Sequence, residues 1–346
     1  MIGKYLVQPD MTVKSVISYM EENNLKAVIV VDQKKRLVGL FSLGDMRHFF
    51  LNNGELSAKI AEAMNRNPII FHSRNEAERC NKKLVIYPIV DEQNTVIDVI
   101  ADGTNNRIVS NGLAEVPVVI MAGGKGTRLY PYTKILPKAL IPIGEYTISE
   151  RIIDSFRRYG CRDFHMILNH KAGMIRSYFN EISKDYDISF SQEEKFLGTG
   201  GGLAYLDGKI EKTFFLSNCD ILINADLECI YKTHKKEKNK ITFVCAMKDI
   251  IIPYGVVETD ANGKIVSMRE KPEFSFLTNT GLYVVEPEVI KTLKKDEFIH
   301  MPEIAQRYLE KGEKVGVFPI SESAWMDMGQ FSEMESMMKK LGINEY

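Results

Sequence analysis

The chemistry of this chain concentrates between residues 118 and 142. An apolar, β-branched run, Val116-Pro-Val-Val-Ile-Met121, ends at Ala122. It is followed by Gly123-Gly124-Lys125-Gly126-Thr127-Arg128-Leu129, and then by Pro131, Thr133 and Pro137-Lys138. Glycines lack the Cβ that would stop consecutive backbone N–H groups from turning toward anionic oxygens. Lys125 and Arg128 supply positive charge, and a guanidinium can take two phosphate oxygens at once. Thr127 adds a hydroxyl donor. Residues Ala122–Thr127 are therefore expected to bind phosphate, with Arg128 and Lys138 as cations close to it. The order G-x-x-x-x-G-K-[ST] does not occur, and Gly124-Lys125-Gly126 is not continued as a dinucleotide fingerprint, so a dehydrogenase is a poor fit.

Two carboxylates stand out further along. Asp220 interrupts the apolar segment Phe214–Ile223, and Asp327 lies within Ala324-Trp-Met-Asp-Met-Gly329. A carboxylate at a buried strand end is costly unless something binds it. Hard oxygen donors of this kind suit Mg²⁺, which completes its shell with substrate phosphates and water. No His/Cys spacing suggests zinc, and the six histidines form no catalytic arrangement. Leu197-Gly198-Thr199-Gly-Gly-Gly202 permits close backbone approach, and Asn169 and Glu194 are candidates for the neighbourhood of the base.

These residues need a sheet to hold them. Strands are expected at 164–168, 213–216, 241–246, 255–259, 281–285 and 314–319, in addition to the run ending at Ala122. Helices are expected at 149–159, 173–182, 227–237 and 302–311. The alternation predicts an α/β sheet with helices on both faces and ligands at the carboxyl ends of strands. Ahead of it lies a weak internal repeat. Ala27–Asp32 with Leu37–Ser42 returns 59 residues later as Ile86–Asp91 with Val96–Ala101, so that Asp32 and Asp91 fall in register. Thr12–Asn23 has apolar residues at helical spacing, whereas Asn75–Lys83 is short and polar. Residues 1–110 thus form one module, 111–116 a linker, and 117–346 the α/β domain.

Lysine plus arginine (45) nearly balance aspartate plus glutamate (46), so no overall field points to nucleic acid or an anionic membrane. The five cysteines form no C-x-x-C pair and lie in or beside apolar stretches, the pattern of reduced thiols. With no signal-like or membrane-length apolar run, a cytoplasmic protein is expected.

The segment Gly123–Lys138 resembles the signature of the nucleotide-sugar pyrophosphorylases, G-G-x-G-T-R-L-x-P-x-T…P-K. The resemblance extends from about Pro117 to Gly329. It implies a Rossmann-like mixed sheet and a nucleoside triphosphate wrapped by the glycine loop. It also implies pyrophosphate departure promoted by Arg128, a phosphate contact from Lys138, and a metal on Asp220 and Asp327. Gly198 and Thr199 match its segment against base and ribose. Pro253-Tyr-Gly255, Glu270-Lys271-Pro272 and Asn279-Thr-Gly281 are similar to its sugar-pocket motifs. Glu270 and Asn279 would bond sugar hydroxyls, Lys271 would hold the sugar phosphate, and Gly255 would leave room for the ring.

The first module resembles a tandem CBS module. Gly39-Leu-Phe-Ser42-Leu-Gly-Asp45 matches the ending in which a hydroxyl and an aspartate hold an adenine nucleotide's ribose. The second copy carries Ala101 and Thr104 there, so its site is degenerate. The module is read either as a regulatory nucleotide sensor or as a structural, dimerising unit, and a homodimer is expected. A CBS pair fused to a short transferase resembles the glucosamine-1-phosphate guanylyltransferases of bacterial legionaminic-acid biosynthesis. That resemblance implies GTP and glucosamine 1-phosphate; UTP, CTP or dTTP with another hexose 1-phosphate is the alternative, and a non-catalytic nucleotide sensor is the reading from another class. The short stretch after Asp327 carries the expectation that no appended β-helix follows.

Overall fold

The computed structural model describes residues 2–23, 25–52, 54–78, 80, 84–101, 110–341 and 343. Thr104, parts of the 75–83 segment and much of the stretch before Ser110 lie outside them. The chain divides into two compact units, Met1–Asn106 and Arg107–Tyr346.

In the first unit, helix Val13–Glu22 is capped by Thr12, whose hydroxyl accepts from Ser15 N, and it buries Val13, Val16, Ile17 and Met20. Strand Ala27–Val31 pairs in parallel with Leu6–Val7 and antiparallel with Leu37–Ser42. The repeat is visible in atomic detail. Asp32 Oδ1 accepts from the N–H groups of Lys34 and Arg36, and Asp91 Oδ1 does the same for Gln93 and Thr95. Lys35 and Asn94 both adopt left-handed backbone. The two hairpin turns then exchange hydrogen bonds, Leu37 N to Asn94 O at 2.9 Å and Val96 N to Lys35 O at 3.0 Å. Shifting each residue by 59 converts one bond into the other, so local pseudo-two-fold symmetry relates the copies. In the second copy the matching helix, among the described residues, spans Arg74–Glu78.

The second unit is built on seven strands: β1 (Val118–Ala122), β2 (Asp163–Leu168), β3 (Asp187–Gln192), β4 (Phe214–Asn218), β5 (Ile241–Ile251), β6 (Glu273–Val285) and β7 (Val315–Ile320). Their order is β3-β2-β1-β4-β6-β5-β7. The first four run parallel, β6 is antiparallel to both β4 and β5, and β7 is parallel to β5. This is the mixed sheet expected. Val118 and Ile120 face one apolar core and Val119 the other, as a strand buried on both faces requires. Helices Ile148–Arg157, Ala172–Glu181, Leu227–Glu237 and Met301–Glu310 fall within a residue or two of the expected spans. Strand β3 and the C-terminal helix Phe331–Lys340 were not expected.

Residues 111–116, expected as a linker, are packed into the second unit. Leu113 is fully buried in its core, and the Ser110 hydroxyl bonds Glu228 Oε2 at 2.5 Å. Among the described residues no helix is long and apolar enough to cross a membrane. Cys161, Cys219 and Cys245 are buried and Cys80 and Cys229 half-buried.

Candidate active site

The carboxyl ends of β1 and β4, adjacent and parallel, open into a cleft with two compartments. The first, a cavity of about 230 Å³, is lined by Gly123, Gly124, Gly126, Thr127 and Arg128, by Lys138 and Glu193, and by Gly198 and Thr199. The second, about 360 Å³, is lined by Asn279, Tyr283, His300, Trp325 and Asp327. Arg128, Thr199, Asn218 and Asp220 line both and so mark the junction.

Local sequence explains the loop. Gly126 has φ +64°, and a Cβ there would meet Thr133 Cγ2 at 2.8 Å and Lys138 Cβ at 3.1 Å. Glycine is needed both for the backbone angle and for the space. The Thr133 hydroxyl donates to Gly126 O at 2.9 Å, tying the loop to the one-turn helix Tyr132–Ile135. Pro137 then turns the chain so that Lys138, only 8 % exposed, brings its ammonium onto Asp220 Oδ2. Ala122 is buried at the end of β1 and lines neither compartment; Lys125 is exposed and also lines neither.

The two aspartates meet through a short antiparallel ribbon, Ile221–Ile223 with Trp325–Asp327. It pairs Ile221 with Asp327, and Met328 N donates to Asp220 O at 2.8 Å. Burial, then the neighbouring charges of Asp220 and Glu333, push the Asp327 carboxyl up to about 6, against the pull of Lys138 and Arg128. Glu333, at the start of the C-terminal helix, has an Oε2 that is buried without a partner. Crowded carboxylates of this kind call for a cation. Two hard oxygen donors at a cleft sized for phosphates fit Mg²⁺, which takes few protein ligands. Among the described residues no group of three His, Cys, Asp or Glu forms a protein-only metal cage.

At the far wall the expectation for Glu194 is corrected. Glu194 is exposed and lines neither compartment, because side chains alternate where β3 ends and its neighbour Glu193 turns inward. Glu193 is 2 % exposed, its Oε1 has no partner, and burial pushes its carboxyl up to about 7 against a backbone N–H from Leu197. A Cβ on Gly123 would come to 3.0 Å of its Oε2, and one on Gly202 to 2.3 Å of its Oε1. Asn169 does not line the cavity; its Nδ2 donates to Glu193 O at 3.1 Å and braces that carboxylate's backbone. Gly198, at φ +80°, and Thr199 lie in the wall, and the Thr199 hydroxyl accepts from Met301 N at 3.3 Å.

In the second compartment both ends of the Asn279 amide are engaged. Oδ1 accepts from Gly281 N at 3.1 Å and Nδ2 donates to the Tyr283 hydroxyl at 2.9 Å. Gly281 has φ +89°, and a Cβ there would strike Asn218 Nδ2 at 2.4 Å. Gly255, Glu270 and Lys271 are brought together but outside both compartments. They sit at the base of the exposed ribbon Val256–Thr259/Ile265–Arg269, where Lys271 N donates to Tyr254 O at 3.2 Å and Glu270 packs against Gly255. Glu193, Tyr283, His300 and Glu333 were missed by sequence reasoning. Of these, Tyr283 carried a signal, since it follows Asn279-Thr-Gly281 within the same strand.

In the first unit, Ser42 and Asp45 are one another's partners. Ser42 Oγ donates to Asp45 Oδ2 at 2.6 Å, Ser42 N donates to the same oxygen at 2.8 Å, and Asp45 N donates back to Ser42 Oγ. The pair forms the capping box of helix Leu43–Leu51.

A glycine loop at the end of a parallel strand, two cations and two facing carboxylates define a phosphate-handling α/β site. A family model described as nucleotidyl transferase matches residues 117–342, and one described as CBS domain matches residues 4–52. The chain belongs to the nucleotidyl transferase family, with a CBS domain ahead of that region. It is 34 % identical over 191 residues to a UTP–glucose-1-phosphate uridylyltransferase of Synechocystis sp., covering 50 % of this chain and 49 % of that protein. It is 28 % identical over 220 residues to the mannose-1-phosphate guanylyltransferase of Mycobacterium tuberculosis, covering 62 % and 61 %. The chain therefore spans about half to three-fifths of the length of these curated relatives. Among solved structures, HddC from Yersinia pseudotuberculosis shares the fold, with TM-score 0.51, 22 % identity and coverage of 65 % of this chain and 99 % of that one.

Proposed function

We propose that the chain is a sugar-1-phosphate nucleotidyltransferase. An oxygen of the sugar 1-phosphate attacks the α-phosphorus of a nucleoside triphosphate. The bond from that phosphorus to the bridging oxygen breaks, and pyrophosphate leaves with the electron pair. The observation that carries this reading is the placement of Asp220, with the Lys138 ammonium on it and Asp327 across the ribbon, at the junction of two compartments. One compartment has the glycine loop for a triphosphate, and the other has Asn279 and Tyr283 for a polyol.

The nucleophile is already an anion, so no general base is required. The barrier lies in bringing two anions together, and fixed positive charge at the meeting point lowers it. Arg128 reaches both compartments and is suited to the charge that develops on the departing pyrophosphate. Lys138, held by Asp220 in the wall of the first compartment, is suited to contact the phosphates there. Mg²⁺ held by Asp220 and Asp327 would supply further charge neutralisation and alignment of the phosphates.

GTP is the preferred nucleotide and glucosamine 1-phosphate the preferred acceptor. Glu193 supports the first: burial disfavours its ionised, acceptor-only form, and guanine offers two adjacent N–H donors on one edge to offset that cost where uracil offers one. The second rests on the CBS-fused architecture, which resembles the guanylyltransferases of legionaminic-acid biosynthesis. Pyrophosphate release should be measured across GTP, UTP, CTP and dTTP with glucosamine, glucose and mannose 1-phosphates. The greatest kcat/KM is expected for GTP with glucosamine 1-phosphate. Preference for UTP would overturn the role given to Glu193, and nucleotide binding without turnover of any pair would favour a non-catalytic sensor.

A further inference from the structure

The phosphate loop does not hold itself. Gly123–Thr127 and Lys138 are joined through Tyr132–Ile135, a helix of a single turn. One turn gains too few hydrogen bonds to persist alone, and its last carbonyls have no partners within the helix. In this chain those carbonyls converge on one ammonium from the loop after β2. Lys171 Nζ donates to Thr133 O at 3.0 Å, Lys134 O at 2.7 Å and Ile135 O at 2.8 Å. All three of its donors are thereby used, and a cation at a helix C-terminus is also favoured by the peptide dipoles.

The backbone of Lys171 is part of the arrangement. The residue follows β2 and precedes helix Ala172–Glu181 with φ +54°, a conformation a side chain with a Cβ rarely adopts. Glycine or asparagine would take that turn at lower cost, but neither carries an ammonium. The loop after β1, which lines the cavity, is in this way fastened to the loop after β2, which stands behind it.

We propose that Lys171 is a positioning residue for nucleotidyl transfer. By capping Tyr132–Ile135 it fixes Thr133, whose hydroxyl holds the carbonyl of Gly126 at 2.9 Å, and it fixes the point from which Pro137 launches Lys138 toward Asp220. Lys171 lines neither compartment and acts on the phosphates only through these residues. The inference rests on the transferase reading for its kinetic consequence, but not for its structural one.

The test uses the full chain with Lys171→Met, which keeps the stem and removes the ammonium, Lys171→Arg, which restores a charged donor, and Thr133→Val. With the best substrate pair of the wild type, Lys171→Met should lower kcat/KM for the triphosphate at least tenfold while KM for the sugar 1-phosphate stays within twofold. Lys171→Arg should recover most of the loss, and the Lys171→Met/Thr133→Val double variant should lose less than the product of the single losses. Amide hydrogen exchange supplies a readout independent of turnover: residues 123–138 should exchange at least tenfold faster in Lys171→Met, with β4 and β6 unchanged. Wild-type kinetics and exchange in Lys171→Met would overturn the proposal. So would a loss spread equally over both substrates and left unrepaired by arginine. If Lys171→Met does not fold, Lys171→Arg and Thr133→Val carry the exchange test alone, and unaltered exchange at 123–138 in Thr133→Val overturns the proposed linkage. A wild type that turns over no substrate pair but shows the exchange effect would sink the transferase reading and leave the clamp standing.

Discussion

Replacing Glu193 by glutamine tests the inner wall of the cavity in two independent ways. Burial raises this carboxyl from 4.5 to about 7, so the ionised form is disfavoured in the folded chain by about 3 kcal/mol. The sign follows from linkage. The folded state holds the proton more tightly than the unfolded state, so this contribution to stability is full below about pH 4.5 and is lost as pH rises through about 7. Glutamine never ionises, so Glu193→Gln should be more stable than the wild type at pH 8 by up to about 3 kcal/mol and should differ by under about 1 kcal/mol at pH 5. At about 2–4 °C per kcal/mol for a domain of this size, the gain in Tm at pH 8 is several degrees. Differential scanning calorimetry from pH 5 to 8 without nucleotide measures it. The same variant loses one acceptor for guanine. A charge-assisted hydrogen bond of about 1.5–3 kcal/mol predicts a loss of about 10- to 150-fold in kcat/KM with GTP, and a smaller change with UTP. Parallel stability curves at all pH values, or an unchanged GTP value, would refute the reasoning.

Three further substitutions follow from the geometry. Arg128→Ala should cost about 3–4 kcal/mol of transition-state stabilisation, two to three decades in kcat, with Tm unchanged because the side chain is exposed; near-normal pyrophosphate release would remove Arg128 from the mechanism. Gly281→Ala, at φ +89° with Asn218 2.4 Å from the new Cβ, should raise KM for the sugar 1-phosphate and lower Tm, which steady-state kinetics and thermal melts would register. Glu286 resists the desolvation that would raise its carboxyl, because hydrogen bonds from His234, Lys235 and Thr213 bring it down to about 2. Its contribution, on the order of 2–3 kcal/mol, is present above about pH 4.5 and lost toward pH 2. Acid titration of Glu286→Gln should therefore show a shallower fall in stability between pH 5 and 2 than the wild type.

Much of the site was legible because its signals are local. The glycine loop, Arg128 and the proline-bracketed lysine lie within one short stretch after a strand buried on both faces. Asp220 and Asp327 each interrupt an apolar run. Glu193 was not legible, since Gln192-Glu193-Glu194 is uniformly polar and only the pleat at the end of β3 decides which carboxylate faces inward. Strand β3 itself escaped because it is an edge strand whose alternation, Ile188 and Phe190 among polar residues, is short. Residues 111–116 read as a linker from composition, yet two apolar side chains, Leu113 and Val116, are enough to fasten them to the core. The mutual bonds of Ser42 and Asp45 likewise depend on where a helix begins. Gly255, Glu270 and Lys271 matched sugar-pocket motifs in sequence, whereas their place at the base of an exposed ribbon depends on the course of β5 and β6 beyond the sheet.

The central claim concerns which bond breaks, and one measurement addresses it. The protein is incubated with Mg²⁺, glucosamine 1-phosphate and GTP labelled at the α-phosphorus, and the products are separated. The account predicts that the label appears in a nucleoside diphosphate sugar, with one pyrophosphate released for each molecule formed. Label recovered in GDP or in GMP, or no sugar-linked product from any triphosphate, would contradict it.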